Sequence, residues 1–160
     1  MVVHPRPAAL ELSLLSLFAG WALTDELQRR LAEEGFDDLR MNDGVLFQHL
    51  IDGPLSISAL AERMGVTQQA ASKAVADLER RGLLRGEPDP ADARTKLVRP
   101  TRQAVRAIKA TRAHRRTLDA ELAAEFGAER VADARALLAA ILDRFGEQDA
   151  VRGRRVRPPR

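Results

Sequence analysis

Residues 53–99 read GPLSISALAERMGVTQQAASKAVADLERRGLLRGEPDPADARTKLVR, and this stretch decides the fold. Pro54-Leu55-Ser56 is a short extended lead-in, and Ser56 is suited to cap a helix over 57–64. Ile57, Leu60, Ala61 and Met64 recur at three- and four-residue spacing, the pattern of a helix with one buried face. Gly65 supplies the turn residue that ends it, and Val66 is expected to tuck inward. Thr67 caps a second helix, 68–81, with the apolar stripe Ala71, Ala74, Val75 and Leu78. A short helix, a glycine turn and a second helix make a helix-turn-helix. Beyond Gly82, Leu83-Leu84-Arg85 and Lys96-Leu97-Val98-Arg99 read as two strands of a hairpin. The ten-residue loop between them, 86–95, is turn-rich and too polar to be buried.

The exposed side of the second helix points to nucleic acid. Thr67, Gln68, Gln69, Ala70, Ser72 and Lys73 lie off its buried stripe in the first turn and a half. That is the part of a recognition helix that reaches base edges in the major groove. Gln pairs bidentately with adenine, Ser bonds a base or a phosphate, and Lys reaches guanine or phosphate.

Three segments together carry a family likeness. Gly53-Pro54-Leu55-Ser56, then Leu60-Ala61-Glu62-Arg63-Met64-Gly65-Val66, then Leu78-Glu79-Arg80-Arg81-Gly82-Leu83-Leu84 resemble the MarR family of bacterial transcription regulators over about residues 45–101. The loop 89–94 is similar to that family's wing, whose hallmark Asp-x-Arg is here Asp92 and Arg94. The chain departs from the family pattern at two points. The strand-to-helix junction reads Pro100-Thr101-Arg102 in place of Leu-Thr-x-x-Gly. Ala93 stands where a basic residue is common, which implies a weaker phosphate grip. The resemblance implies a mostly α fold with a small β wing, in which Asp92, Arg94 and Lys96 are the wing's DNA-contacting residues. Asp92 and Arg94, two apart on a strand-like turn, project the same way. Asp92 is therefore expected to hold the Arg94 guanidinium and aim it at a narrow minor groove.

Charge is segregated along the chain. Residues 40–116 carry 15 Lys/Arg against 8 Asp/Glu, while residues 1–39 carry 3 against 7 and 117–150 carry 3 against 8. The last ten residues add five Arg and no acid. A basic middle between acidic flanks fits a middle that faces phosphate. Aromatics make up only 4%, and Ala, Leu and Arg abound, which favours helix over sheet. The absence of cysteine excludes disulfides, thiolate metal sites and thiol redox sensing. His4, His49 and His114 show no ligand spacing, and no cofactor is implied.

Outside the winged module (40–100) the chain is helical. Residues 9–34 form a helix apolar nearly all round, through Leu10, Leu14, Leu17, Trp21, Leu27 and Leu31, with Leu12, Leu15, Phe18 and Leu23 filling the remaining circumference. A small monomer rarely buries such a helix on all sides. Asn42 or Asp43 is expected to cap a helix over 44–51 with Val45, Leu46, Phe47 and Leu50 in the core. Thr101 caps a long helix to about Phe126, with Val105, Ile108, Leu118 and Leu122 on its apolar side. Gly127 breaks it, and 128–145 forms a last helix through Leu137, Leu138 and Ile141. The N-terminal helix (9–35) and the C-terminal helices (101–146) thus form a dimerisation region with Leu10, Leu14, Leu17, Leu137, Leu138 and Ile141 at its interface. Residues 1–8 are a loose lead and 147–160 a basic tail without order.

The resulting expectation is a homodimer that binds a pseudo-palindromic operator on double-stranded DNA as a repressor in the bacterial cytoplasm, at the nucleoid. The resemblance adds release by a small aromatic or phenolic effector, for which Trp21, Phe47 and His49 are the candidate pocket. A secretory signal is disfavoured by Glu11 at the start of the 12–23 apolar run, and that run is too short to span a membrane. A winged helix used only for protein contact would carry an apolar reading face, unlike Gln68, Gln69, Ser72 and Lys73. An enzyme would need a nucleophile–base pair, a glycine-rich phosphate loop or a metal set, and none is visible in the sequence.

Overall fold

The computed structural model describes residues 6–92 and 94–146; the lead 1–5 and the tail 147–160 lie outside the described residues. After a single tight turn at Pro7–Ala9, the chain forms α1 (Leu12–Glu33), α2 (Met41–His49), β1 (Leu55–Ser56), α3 (Ile57–Met64) and α4 (Gln68–Arg80). It continues through β2 (Leu84–Pro88), β3 (Lys96–Pro100), α5 (Arg102–Phe126) and α6 (Ala128–Arg144). This is a mostly helical fold with a three-stranded antiparallel sheet in the order β1-β3-β2.

Three hydroxyl caps start three helices in the same way. Ser56 accepts the Ala59 N–H, Thr67 that of Ala70 and Thr101 that of Ala104, each at 3.2 Å. Each satisfies a backbone donor that would otherwise lack a partner at the helix start. The Pro100-Thr101 junction is therefore intact. Thr101 also anchors it to the end of α4, its N–H donating to the Leu83 carbonyl at 3.0 Å and its hydroxyl to the Gly82 carbonyl at 2.8 Å. Gly65 ends α3 in the left-handed conformation (φ 64°), where a side chain would be strained.

The core lies inside the winged module and takes in the second half of α1. Leu27 and Leu31 from α1 meet Leu46, Phe47 and Leu50 from α2, Leu60 from α3, Val75 and Leu78 from α4, and Val98 from β3. Arg30 Nη2 pairs with Glu121 at 2.6 Å, and His114 Nε2 lies 2.9 Å from Glu34, so α5 runs antiparallel along the end of α1.

Several local expectations are corrected. The α1 helix begins at Leu12, not Ala9, so Leu10 precedes it in an extended residue. The α2 helix begins three residues early, with Arg40 at the cap position, and Asp43 caps from inside the first turn by accepting the Arg40 N–H at 2.8 Å. Val66 points outward, because its N–H is tied back to the Ala61 carbonyl in the helix-ending turn. The lead-in Leu55–Ser56 is a true strand on β3, with Leu55 opposite Val98. The hairpin runs further than expected, Pro88 opposite Lys96, which shortens the loop to 89–95. On α5 the buried side is Ala104 and Ala107, and Val105 is exposed. Small residues let this helix sit close to the sheet.

Candidate nucleic-acid interface

The exposed turn of α4 is built by its cap. Thr67 fixes the helix start, Ala71, Val75 and Leu78 bury the inner stripe, and Gln68, Gln69, Ala70, Ser72 and Lys73 are left facing solvent. Three amides or hydroxyls and one ammonium stand on one exposed turn and a half. Among the described residues Lys73 has no carboxylate partner.

The wing is ordered by Asp92, though not as the residue spacing suggested. Its carboxylate accepts the Arg94 backbone N–H at 3.0 Å and the Thr95 hydroxyl at 3.1 Å, and its own carbonyl accepts the Thr95 N–H at 2.8 Å. Both carboxylate oxygens are spent on shaping the turn. No bond links Asp92 to the Arg94 guanidinium among the described residues, and the Arg94 side chain projects free into solvent. Asp92 places the arginine through the backbone, a residue-local turn chemistry.

Lys96 is engaged. Its ammonium pairs with Glu79 at 2.7 Å, joining the base of the wing to α4. Gly86 makes room for this reach, since a Cβ there would fall 1.8 Å from Lys96 Cε. The other cations of the module divide in the same way. Arg40, Arg80, Arg81 and Arg99 are paired with carboxylates, whereas among the described residues Lys73, Arg85 and Arg94 are not, nor is Arg63, which donates to the His49 carbonyl at 3.3 Å. Uncompensated charge thus stands on the exposed turn of α4, on the hairpin and, at Arg63, on α3. That pattern suits an anionic partner, because an unpaired surface cation carries no desolvation debt to an internal acid.

Behind this face lies a charge cluster that sequence spacing did not reveal. Arg81 contacts Asp43, Asp77 and the Asp38 carbonyl. Burial raises the Asp43 carboxyl above its ordinary value, against the pull of the Arg40 N–H and the Arg81 charge. Burial also pushes Asp77 up, but the bond from Arg80 and the charges of Arg81 and Arg40 outweigh it and hold Asp77 low. Partners 38 residues apart leave no periodic signal; only the mixed charge of the two segments hinted at them.

The three pocket candidates are not brought to one surface of a single chain. Phe47 is 1% exposed and His49 is buried with it in the module core, whereas Trp21 is 53% exposed on α1. The Trp21 ring stands edge-on to Phe18, centroids 5.4 Å apart. Leu14, Leu17, Leu137 and Leu138 are exposed, Leu10 and Ile141 half-buried.

A capped helix-turn-helix closed by a three-stranded sheet with a turn-shaped hairpin loop is a winged helix-turn-helix. Residues 44–95 match the sequence model of the MarR family. Solved structures extend the likeness to the flanking helices. MepR, a transcription regulator of the Staphylococcus aureus multidrug efflux pump MepA, superposes with a TM-score of 0.64 at 17% identity, over 85% of this chain and 99% of that one. The S. aureus MepR–DNA complex gives 0.60 at 20% identity, over 84% and 98%. YusO from Bacillus subtilis gives 0.60 at 19%, over 84% and 99%. At these identities the likeness is one of fold. Among curated protein sequences none matches the chain. No helix among the described residues is long and apolar enough to cross a membrane.

Proposed function

We propose that this chain is a sequence-specific DNA-binding transcription regulator that acts as a homodimeric repressor. The observation that carries the reading is the open charge of Lys73, Arg85 and Arg94: these cations on the exposed turn of α4 and on the hairpin have no carboxylate partner among the described residues, whereas Lys96 and Arg99 at the base of the hairpin are held by acids. Gln68, Gln69, Ser72 and Lys73 read base edges in the major groove, with Thr67 and Ala70 forming the cap that presents them. Arg94 enters the minor groove beside it, where a planar, always-charged group is favoured. Asp92 shapes its loop, and Lys96 braces the wing against α4. A solved relative of the same fold carries DNA, which supports the same partner here.

Residues 40–100 act as the DNA-binding module, and 9–35 with 101–146 as the dimerisation region. A two-fold pair of reading helices fits half-sites about one helical turn apart on a pseudo-palindrome. In this reading the protein works at the bacterial nucleoid. Release by a small aromatic or phenolic effector follows if that ligand prefers the spacing that does not fit DNA. Trp21 offers an open ring for it, while Phe47 and His49 lie buried in the module core.

The test is fluorescence anisotropy of the purified chain on its own upstream intergenic DNA, against a shuffled duplex of equal length. Tight binding to the first and weak, steeply salt-dependent binding to the second is expected. Equal affinity for both would overturn sequence-specific regulation.

A further inference from the structure

The most enclosed ion pair of the winged module sits at the opposite end of α4 from the reading turn. Arg81 directly follows the last residue of α4, and its side chain is only 7% exposed, that of Asp43 9%. Its two terminal nitrogens donate to the two oxygens of Asp43 at 2.7 and 2.9 Å, a planar fork on a planar carboxylate. The nitrogen at 2.9 Å also donates to the Asp38 carbonyl at 2.6 Å, and Nε lies 3.0 Å from Asp77. Asp43 in turn holds the first turn of α2 through the Arg40 N–H, and Arg40 reaches Asp77 at 3.2 Å. One guanidinium therefore joins the loop that leaves α1, the start of α2 and the end of α4.

The geometry points to Arg81 as a positioning residue for base reading, a role that rests on the DNA-binding reading above. It fixes the tilt of α4 against α2 and carries any displacement of the loop leaving α1 to the reading turn. Gln68 lies 13 residues from Arg81, about 20 Å along a helix that rises 1.5 Å per residue. A tilt of about 5° at the clamp swings that turn by roughly 1.7 Å over this length. That exceeds the whole range of hydrogen-bond lengths between a side chain and a base. Lysine cannot replace the clamp, because one ammonium cannot match both Asp43 oxygens while reaching Asp38 and Asp77. A cluster that served stability alone would leave the direction of α4 unchanged in any variant that still folds.

Two variants test this. Arg81→Lys keeps the charge and loses the fork. The double variant Arg81→Met with Asp43→Leu removes both buried charges together, which spares the fold an unpaired charge. The chain has no cysteine, so Asn42→Cys and Gln69→Cys take spin labels at unique positions on α2 and on the reading turn. Labelled chains are diluted in unlabelled protein so that only the intrachain distance is read. In the Arg81 background that distance is narrow; in either folded variant it shifts or broadens by about 1.7 Å or more, the swing the lever implies. Without labels, the same variants lose roughly 10- to 100-fold in affinity for the intergenic operator fragment, the equivalent of one or two base contacts. Affinity for a random duplex, and its salt slope, stay at the Arg81 values, because the phosphate-facing cations are untouched. A folded variant with both an unaltered distance and unaltered operator affinity overturns the inference. A shifted distance in a chain that binds no DNA upholds the clamp and refutes the DNA reading instead.

Discussion

Leu60 and Leu138 are the same residue on amphipathic helices of one chain, yet the first is fully buried and the second is 48% exposed. The difference belongs to their regions. The winged module folds its helices over a sheet and closes on itself, with Phe47, Leu60, Val75 and Val98 all sealed. The first half of α1 and all of α6 form no such enclosure. Leu12, Leu17, Phe18 and Trp21 on one and Leu137, Leu138 and Leu142 on the other remain open, and α6 buries no residue. Apolar surface of this extent on a small protein marks an interaction face. The module seals its core within one chain, and the terminal helices leave their apolar faces open.

The largest expected effects set these regions apart. Phe47→Ala should cost about 3–5 kcal/mol of stability, since it empties a sealed core position. The loss should be independent of protein concentration in thermal melts. Leu14→Asp or Leu138→Asp should cost several kcal/mol only if a second chain covers these positions, because burying an unpaired charge is expensive. On an isolated chain each would change stability by no more than about 0.5 kcal/mol. Sedimentation decides between these outcomes: the parent protein at about 35 kDa, twice 17.6 kDa, and the aspartate variants at monomer mass or unfolded. A parent sedimenting cleanly at 17.6 kDa would break the comparison.

Within the module, the next effect belongs to the wing. Arg94→Ala should leave the melting temperature in place, weaken operator binding by roughly 1–3 kcal/mol and lower the salt slope by about one. Anisotropy titrations at several salt concentrations read both quantities. Asp92→Ala should act on the same binding more weakly, with faster amide exchange in 92–95, because it removes the turn and spares the guanidinium. Gln69→Ala should change which operator bases are preferred, measurable by selection from a randomised duplex pool. The smallest effect is that of acid on α1. Bonds from Arg29 and Arg30 lower Glu26 to about 2, so its contribution is present above the ordinary carboxylate range and is lost as pH falls towards about 2. Melts of Glu26→Gln should lose that part of the acid dependence.

What could be read from the sequence was local. Ser56, Thr67 and Thr101 were legible as caps, Gly65 as a stop, and the stripe of α4 as a buried face, because each signal spans three or four residues. The exposed turn of α4 followed from that stripe by subtraction. Val66 and Val105 misled, because an apolar residue beside a turn or a close-packed helix does not choose its side by hydrophobicity alone. The relation between Asp92 and Arg94 was not legible: the carboxylate spends itself on backbone and hydroxyl donors that the spacing of two charges cannot show. The ties Asp43–Arg81, Glu79–Lys96 and Arg30–Glu121 lie 38, 17 and 91 residues apart and became visible only in three dimensions.

The last of these ties has a consequence for synthesis. Arg30 on α1 leaves the ribosome well before the partner that grips it, Glu121, which follows 91 residues later. At translation speeds of about 5–20 residues per second that is a wait of roughly 5–18 seconds. During it the winged module has time to fold by itself, since its contacts are nearer in sequence. The first helix meanwhile carries Leu12, Leu17, Phe18 and Trp21 bare into a crowded cell. The nascent chain is thus most exposed to aggregation and to chaperone capture at this helix, and neighbouring ribosomes on one message present it side by side.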